Sequence, residues 1–169
     1  MGIEVVLISC AMGFGSGVVI APNTVISAAH VFQNDTCIID NRSATIVYQD
    51  ADSDVVILTT DPDRPFQRQM TVSCAPITTN ETYRLIGSRA RSTVRAIDTR
   101  YDVRVAPTQI TYNLRGADPS RTPEPGMSGG AVVDEQDRLV GIISATTADG
   151  KVGIIELATT PMCQQEPAQ

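Results

Sequence analysis

Apolar and β-branched residues fall in short runs separated by turn formers along almost the whole chain. Val5 to Ser9, Gly17 to Ala21, Thr24 to Ala28, Cys37 to Asp40, Ala44 to Tyr48 and Val55 to Thr59 are such runs, each bounded by Gly, Pro, Asn, Asp or Ser. Recurrence at about 8–12 residues is the spacing of strands in all-β sandwiches and barrels. Asp61 to Pro76, with Pro62, Pro65 and several charges, breaks the pattern and reads as a linker. A second set follows: Tyr83 to Ile86, Thr93 to Ile97, Tyr101 to Ala106, Gln109 to Tyr112, Ala131 to Val133, Leu139 to Ser144 and Lys151 to Leu157. Within it, Asn113 to Gly126, with Pro119, Pro123 and Pro125, reads as a loop. Ser27 to Phe32 predicts one short helical turn, and nothing carries the stripe of a long amphipathic helix. Two strand sets of similar size predict two barrels side by side, residues 1–60 and 77–160, joined by a linker at 61–76 and followed by a tail at 161–169. The cleft between them is the expected site.

Composition narrows the chemistry. Among 169 residues, 42% are hydrophobic, 19% are charged and one, His30, is a histidine. A zinc site with two or three imidazoles is therefore ruled out, and any histidine acid/base chemistry must pass through His30. With 13 basic against 19 acidic residues the net charge is −6, which argues against nucleic acid or an anionic membrane as partner of the whole surface. The longest apolar runs are four or five residues, far short of the roughly 20 that span a bilayer. No basic segment precedes the first apolar run, so neither a signal peptide nor a membrane segment is expected. Cys10, Cys37, Cys74 and Cys163 show no CxxC spacing, which argues against a structural metal. They read as free thiols or as disulfides: the former for a cytosolic or virus-encoded chain starting at Met1, the latter for a mature chain or polyprotein fragment. The compartment stays equally open, extracytoplasmic for a mature chain, a host cell for a viral or phage-encoded domain.

Three segments carry candidate chemistry. Gly15 to Val31 (GSGVVIAPNTVISAAHV) joins two strands through a Pro-Asn-Thr turn and ends on the single histidine. In Asp52 to Leu58 (DSDVVIL), Asp54 heads four consecutive apolar residues, at the mouth of a buried strand. Pro125 to Val133 (PGMSGGAVV) holds Ser128 in a glycine-rich turn before an apolar strand. Taken singly, each has a structural reading: a hydrogen-bonded core histidine, a turn-forming aspartate, a tight turn. Their order along the chain, His, Asp, Ser, is that of one of the unrelated catalytic-triad families.

With LVGIIS at 139–144, these stretches make the sequence resemble the trypsin/chymotrypsin-like serine peptidases, in particular the compact bacterial HtrA-like and glutamyl-endopeptidase-like enzymes and the small viral proteases. The resemblance implies two packed six-stranded antiparallel β-barrels with the active site in the cleft. It implies a serine endopeptidase with Ser128 as nucleophile, His30 as general base and acid, and Asp54 orienting the imidazole. The backbone N–H groups of Gly126 and Ser128 would form the oxyanion hole. Ser144 would support Asp54, and its strand edge would take an extended polypeptide substrate by strand addition.

The resemblance also implies that S1 is walled by residues before Gly126, Thr122 among them, and by Ser144, Ala145 and Thr146, with Gly153 opening the pocket. Thr122 stands where trypsin has Asp, so cleavage after Lys or Arg is not supported. A small or medium P1 residue is favoured, with Thr122, Thr146 and Thr147 available to a polar one and Arg121 or Lys151 to an acidic one. No cofactor or metal is implied.

Departures from the family pattern matter as well. Met127 replaces the acidic residue that pairs with a freshly cut N-terminus, so activation by N-terminal insertion is not expected. Val31 stands where the family has a Cys beside the histidine. The resemblance implies Cys74–Cys163 first among bridged pairs and Cys10–Cys37 second. The oligomeric state is left open. Two other readings compete. Arg84, Arg89, Arg91, Arg95, Arg100 and Arg104 against Asp98 and Asp102 give a local charge of +4 that RNA could use, yet only Tyr83 and Tyr101 could stack on bases, which favours a solvated barrel face. The second is a pseudoenzyme that keeps the fold as a binding module.

Overall fold

The computed structural model describes residues 4–11, 13–32, 37–51, 53–78, 81–88, 91–101, 110–116, 128–146 and 152–164. The first six strands are β1 (Val5–Cys10), β2 (Gly13–Ala21), β3 (Thr24–Ala28), β4 (Cys37–Ile39), β5 (Arg42–Asp50) and β6 (Val55–Thr60). They pair antiparallel in the ring β1-β2-β3-β6-β5-β4, which closes where Ile8 meets Ile39. A 3-10 turn, Ala29–Phe32, follows β3 as expected. The second six are β7 (Thr82–Ile86), β8 (Arg91–Tyr101), β9 (Ile110–Gly116), β10 (Ala131–Val133), β11 (Leu139–Thr146) and β12 (Val152–Glu156). Their ring, β10-β11-β12-β9-β8-β7, closes through the pair Ala131 and Ile86. A short helix α1 (Pro161–Gln164) follows.

The unbroken apolar runs are explained by burial on both faces, since a strand with one wet face would alternate. Val19, Val25 and Val56 point into the first barrel with Ile8, Ile39 and Leu58. Their neighbours Val18, Ile26 and Val55 point the other way, into one apolar cluster with Ile86, Ala131, Val133, Leu139 and Ile142 of the second barrel. That cluster is the seam between the barrels. Strands lacking this double burial were harder to read. β2 starts at Gly13 because its ladder with β1 runs on to Cys10 opposite Gly13. β5 extends to Asp50 although most of its residues are exposed, held by its ladder with β6.

Three expectations need correction. Thr93 to Ile97 is not a strand separate from Tyr101: β8 runs unbroken from Arg91 to Tyr101, and the rest of the expected strand, 102–106, lies outside the described residues. The pairing steps from Ala96 opposite Leu114 to Arg100 opposite Tyr112, so a bulge absorbs the polar Asp98-Thr99 that reads as a turn. Asn113 to Gly116 belong to β9 rather than to a loop. Asp40 also leaves its strand: with Asn41 it forms the β4–β5 turn at φ 47° and 61°, the left-handed pair that closes tight hairpins.

Residues 61–78 form no strand yet touch both barrels. Phe66 is buried and gives its N–H to the Pro22 carbonyl, and Met70 gives its own to Val19. Ser73 donates to the Leu139 carbonyl, and Leu139 donates to Thr71. Cys74–Cys163 bonds this strap to α1, and Cys10–Cys37 crosses directly opposite positions of β1 and β4. Among the described residues, no helix is long and apolar enough to cross a membrane.

The Cys74–Cys163 bridge spans 89 residues of sequence, so loop-closure entropy makes it worth about 4–5 kcal/mol, less any strain. Replacing both cysteines by serine should lower unfolding free energy by about 2–5 kcal/mol in urea titrations; an unchanged midpoint would show that the bridge does not form in solution.

Candidate active site

The turn after β3 places His30 beside Asp54, the residue that opens β6. Ala29 N–H donates to the Asp54 carbonyl at 2.8 Å. His30 N–H donates to Asp54 Oδ1 at 2.8 Å, and His30 Nδ1 lies 2.7 Å from Oδ2. One carboxylate thus grips both the backbone and the ring of the histidine, which leaves Nε2 as the ring nitrogen that Asp54 does not engage. Asp54 reaches back because its backbone is left-handed, φ 61°, a conformation Asp and Asn tolerate better than other side-chain-bearing residues. Its side chain is 11% exposed against 40% for His30.

The third donor comes from the other barrel. Ser144 Oγ, fully buried, donates to Asp54 Oδ2 at 2.7 Å. The β11–β12 register shifts between Ile143 and Ala145, so Ser144 sits at a bulge, the kind of irregularity that re-aims a side chain. Burial is the largest influence on Asp54 and disfavours its charge. Hydrogen bonds from the His30 ring and the Ser144 hydroxyl, the charge of His30 and the His30 backbone N–H together outweigh it, so the carboxyl is held below its ordinary 3.8.

Ser128 begins the turn that enters β10. Gly129 N–H donates to the Ile143 carbonyl at 2.6 Å and Ile143 N–H to the Gly130 carbonyl at 2.9 Å, fastening the turn to β11. The Ser128 carbonyl accepts the N–H of Ser16 on β2 at 2.8 Å, fastening it to the first barrel. The Ser16 carbonyl in turn accepts Ser27 Oγ at 2.7 Å. Gly129 has φ +89°, and a β-carbon there would overlap the Ser16 carbonyl oxygen and the Ser27 hydroxyl. A β-carbon on Gly15 would lie 2.9 Å from Val31 Cγ1 and 3.2 Å from the Ser128 carbonyl oxygen. Ser128 and the His30 turn therefore converge on the same small residue of β2.

His30, Asp54 and Ser144 are joined by hydrogen bonds, and Ser128 occupies the adjoining turn. Ala145 and Thr146 lie in β11, with Gly153 opposite Ala145 on β12. Thr122, Gly126 and Met127, with Arg121, Thr147 and Lys151, lie outside the described residues. Ser16 and Ser27 were not singled out from sequence. Both are fully buried within apolar runs, and a serine so placed is the signal that could have found them. Among the described residues, no His, Cys, Asp or Glu group could hold a metal.

The site is thus a histidine–carboxylate pair where two six-stranded β-barrels meet. The family profile described as trypsin-like peptidase domain matches residues 15–142, more than half of the sequence. The chain belongs to the trypsin-like peptidase family and is a serine protease of that class. Among curated protein sequences, none matches it significantly. Similar solved structures include the active form of the Rv3671c protease from M. tuberculosis, with a TM-score of 0.72 at 22% identity over 95% of this chain and 78% of that one. The HtrA-type protease AlgW with a tripeptide gives 0.72 at 23% over 92% of this chain and 56% of that one. AlgW with a decapeptide gives 0.70 at 18% over 92% and 61%.

Two outcomes follow from the site. Gly129→Ala should destabilise the protein by about 3 kcal/mol or more in chemical denaturation, because positive φ and a clash with backbone act together. Asp54→Asn keeps the left-handed tolerance and removes the charge. Because the folded carboxyl titrates below its ordinary value, its stabilisation is complete above that value and lost as pH falls through the folded one. The wild-type advantage over Asp54→Asn in urea midpoint should be full at neutral pH and vanish at strongly acidic pH.

Proposed function

We propose that the chain hydrolyses peptide bonds through Ser128, His30 and Asp54. The observation that carries this reading is the two-point grip of Asp54 on His30, which orients the ring and selects Nε2 for proton transfer. In this mechanism Nε2 takes the proton of Ser128 Oγ as the hydroxyl attacks the scissile carbonyl, and returns it to the leaving amine. Water then gives a proton to the same nitrogen as its oxygen bonds to the acyl carbon, and that proton passes to Ser128 Oγ as the Oγ–carbon bond breaks and the acid product leaves. Asp54 stays ionised throughout and stabilises the imidazolium, a role its depressed titration supports. The N–H groups of Gly126 and Ser128 are assigned to the tetrahedral oxyanion, a contribution of about 3–4 kcal/mol per donor where it has been tested.

Substrate recognition follows from β11. Its ladder with β10 ends at Ile142 opposite Ala131, while Ala145 and Thr146 pair only with β12 among the described residues. The Ser144–Thr146 edge can therefore receive an extended peptide as an added strand. The Ser144 side chain is committed to Asp54, so this residue would contribute its backbone to substrate and its hydroxyl to the carboxylate. AlgW structures with a tripeptide and a decapeptide agree with a polypeptide substrate for this fold. Thr122, Ala145, Thr146 and Gly153 are assigned to S1, with a small or medium P1 residue.

Ser128→Ala should lower kcat by about 10⁴–10⁶, and adding His30→Ala should cost little more, since the two act as one unit. A fluorophosphonate probe should label Ser128 in the wild-type chain and no residue in the variant. A natively folded wild-type chain that does not label would make this a binding module rather than an enzyme.

A further inference from the structure

We propose that Ser16 is a positioning residue of the reaction, its hydroxyl latching the β7–β8 connection of the second barrel to the strand of the first barrel that holds Ser128. The inference rests on the assignment of Ser128 and His30 above. Ser16 is fully buried on β2, and both its N–H and its Oγ bond to segments of the second barrel. Its N–H donates to the Ser128 carbonyl and its carbonyl accepts Ser27 Oγ. Its Oγ accepts the N–H of Ser88 at 2.9 Å and lies 3.2 Å from Ser88 Oγ, to which it can donate. Ser88 lies two residues past the end of β7 and 72 residues from Ser16 in sequence. One residue therefore gathers two separate segments of the second barrel, the nucleophile turn and the end of β7.

The physical need for such a latch comes from the seam. The cluster joining the barrels is apolar, and apolar contact is non-directional: it holds the barrels together but scarcely resists a small slide or rotation of one on the other. Proton transfer between Ser128 and His30 tolerates no such slide, because the nucleophile rides on the second barrel and its base on the first. Hydrogen bonds across the seam supply the missing direction. Ser144 to Asp54 is one and Ser16 N–H to Ser128 is another. The Ser16–Ser88 contact anchors the second barrel at a further point, away from the turn that must stay free to carry the oxyanion. β7 is also the strand that pairs with β10, which leads out of the Ser128 turn, so a fixed β7 fixes the start of β10.

The test uses Ser16→Ala, with acylation by p-nitrophenyl acetate and labelling by a fluorophosphonate as readouts. The acylation rate constant should fall by about 10- to 100-fold, the loss expected of a small misplacement of reacting groups. The apparent binding constant for the ester should stay within about twofold, and labelling should slow by the same factor as acylation. Ser88→Ala keeps the N–H donor and should act nearly as wild type. Should Ser16→Ala fail to fold, Ser16→Cys decides the matter, because the somewhat larger sulfur leaves no void but accepts hydrogen bonds weakly. Wild-type acylation in a folded Ser16 variant that still labels at Ser128 would overturn the latch alone. A loss explained wholly by the unfolded fraction at the assay temperature would overturn it too. Absence of labelling at Ser128 in the wild-type chain would instead overturn the catalytic assignment on which it rests.

Discussion

The carboxylate of Asp54 sits where the two barrels meet and takes hydrogen bonds from both. Burial works against its charge, and the His30 ring, the Ser144 hydroxyl and the His30 backbone that converge on it outweigh that effect and hold its pKa below the ordinary value. Each donor, and the acceptor too, is placed by a local irregularity: the 3-10 turn after β3 for His30, the bulge in β11 for Ser144, the left-handed backbone for Asp54 itself. Partly satisfied buried networks are worse than none. The three irregularities therefore stand or fall together, and the orientation of the imidazole depends on all of them.

Around this carboxylate the seam divides its labour by chemistry. Val18, Ile26 and Val55 meet Ala131, Val133 and Ile142 and supply adhesion. Gly15 and Gly129 supply closeness, since a side chain at either would strike the opposing segment. Ser16, Ser27 and Ser144 supply direction through hydrogen bonds of 2.7–2.9 Å. The glycine- and serine-rich turns that alone look like generic loop chemistry are thus the parts of the chain where the two barrels approach most closely.

Legibility in the sequence followed burial. β3, with Thr24 to Ala28, and β10, with Ala131 to Val133, were bounded correctly because both are packed on two faces and flanked by turn formers. β5 and β8 were mis-bounded because main-chain ladders hold exposed or polar residues in them, and a ladder leaves no periodic mark on side-chain type. His30, Asp54 and Ser144, which the structure joins by hydrogen bonds, stand out in the sequence because each sits in a short motif whose members are near one another. Ser16, Ser27 and Ser88 carry no such motif, and only their hydrogen bonds to residues 11 and 72 positions away mark them.

Read from one end to the other, the chain already specifies two sets of short strands, a single histidine, and the order His, Asp, Ser. These are properties of composition and local period, which need no knowledge of what lies alongside. What the residue order leaves open is which strand faces which across the seam, how Cys10, Cys37, Cys74 and Cys163 pair, and which buried serine points at which carbonyl or carboxylate. Those are settled when closure of each ring fixes its register and the apolar seam brings the rings together. Only then do groups 72 or 90 residues apart come within hydrogen-bonding distance, because such bonds depend on tenths of an ångström that local sequence does not encode.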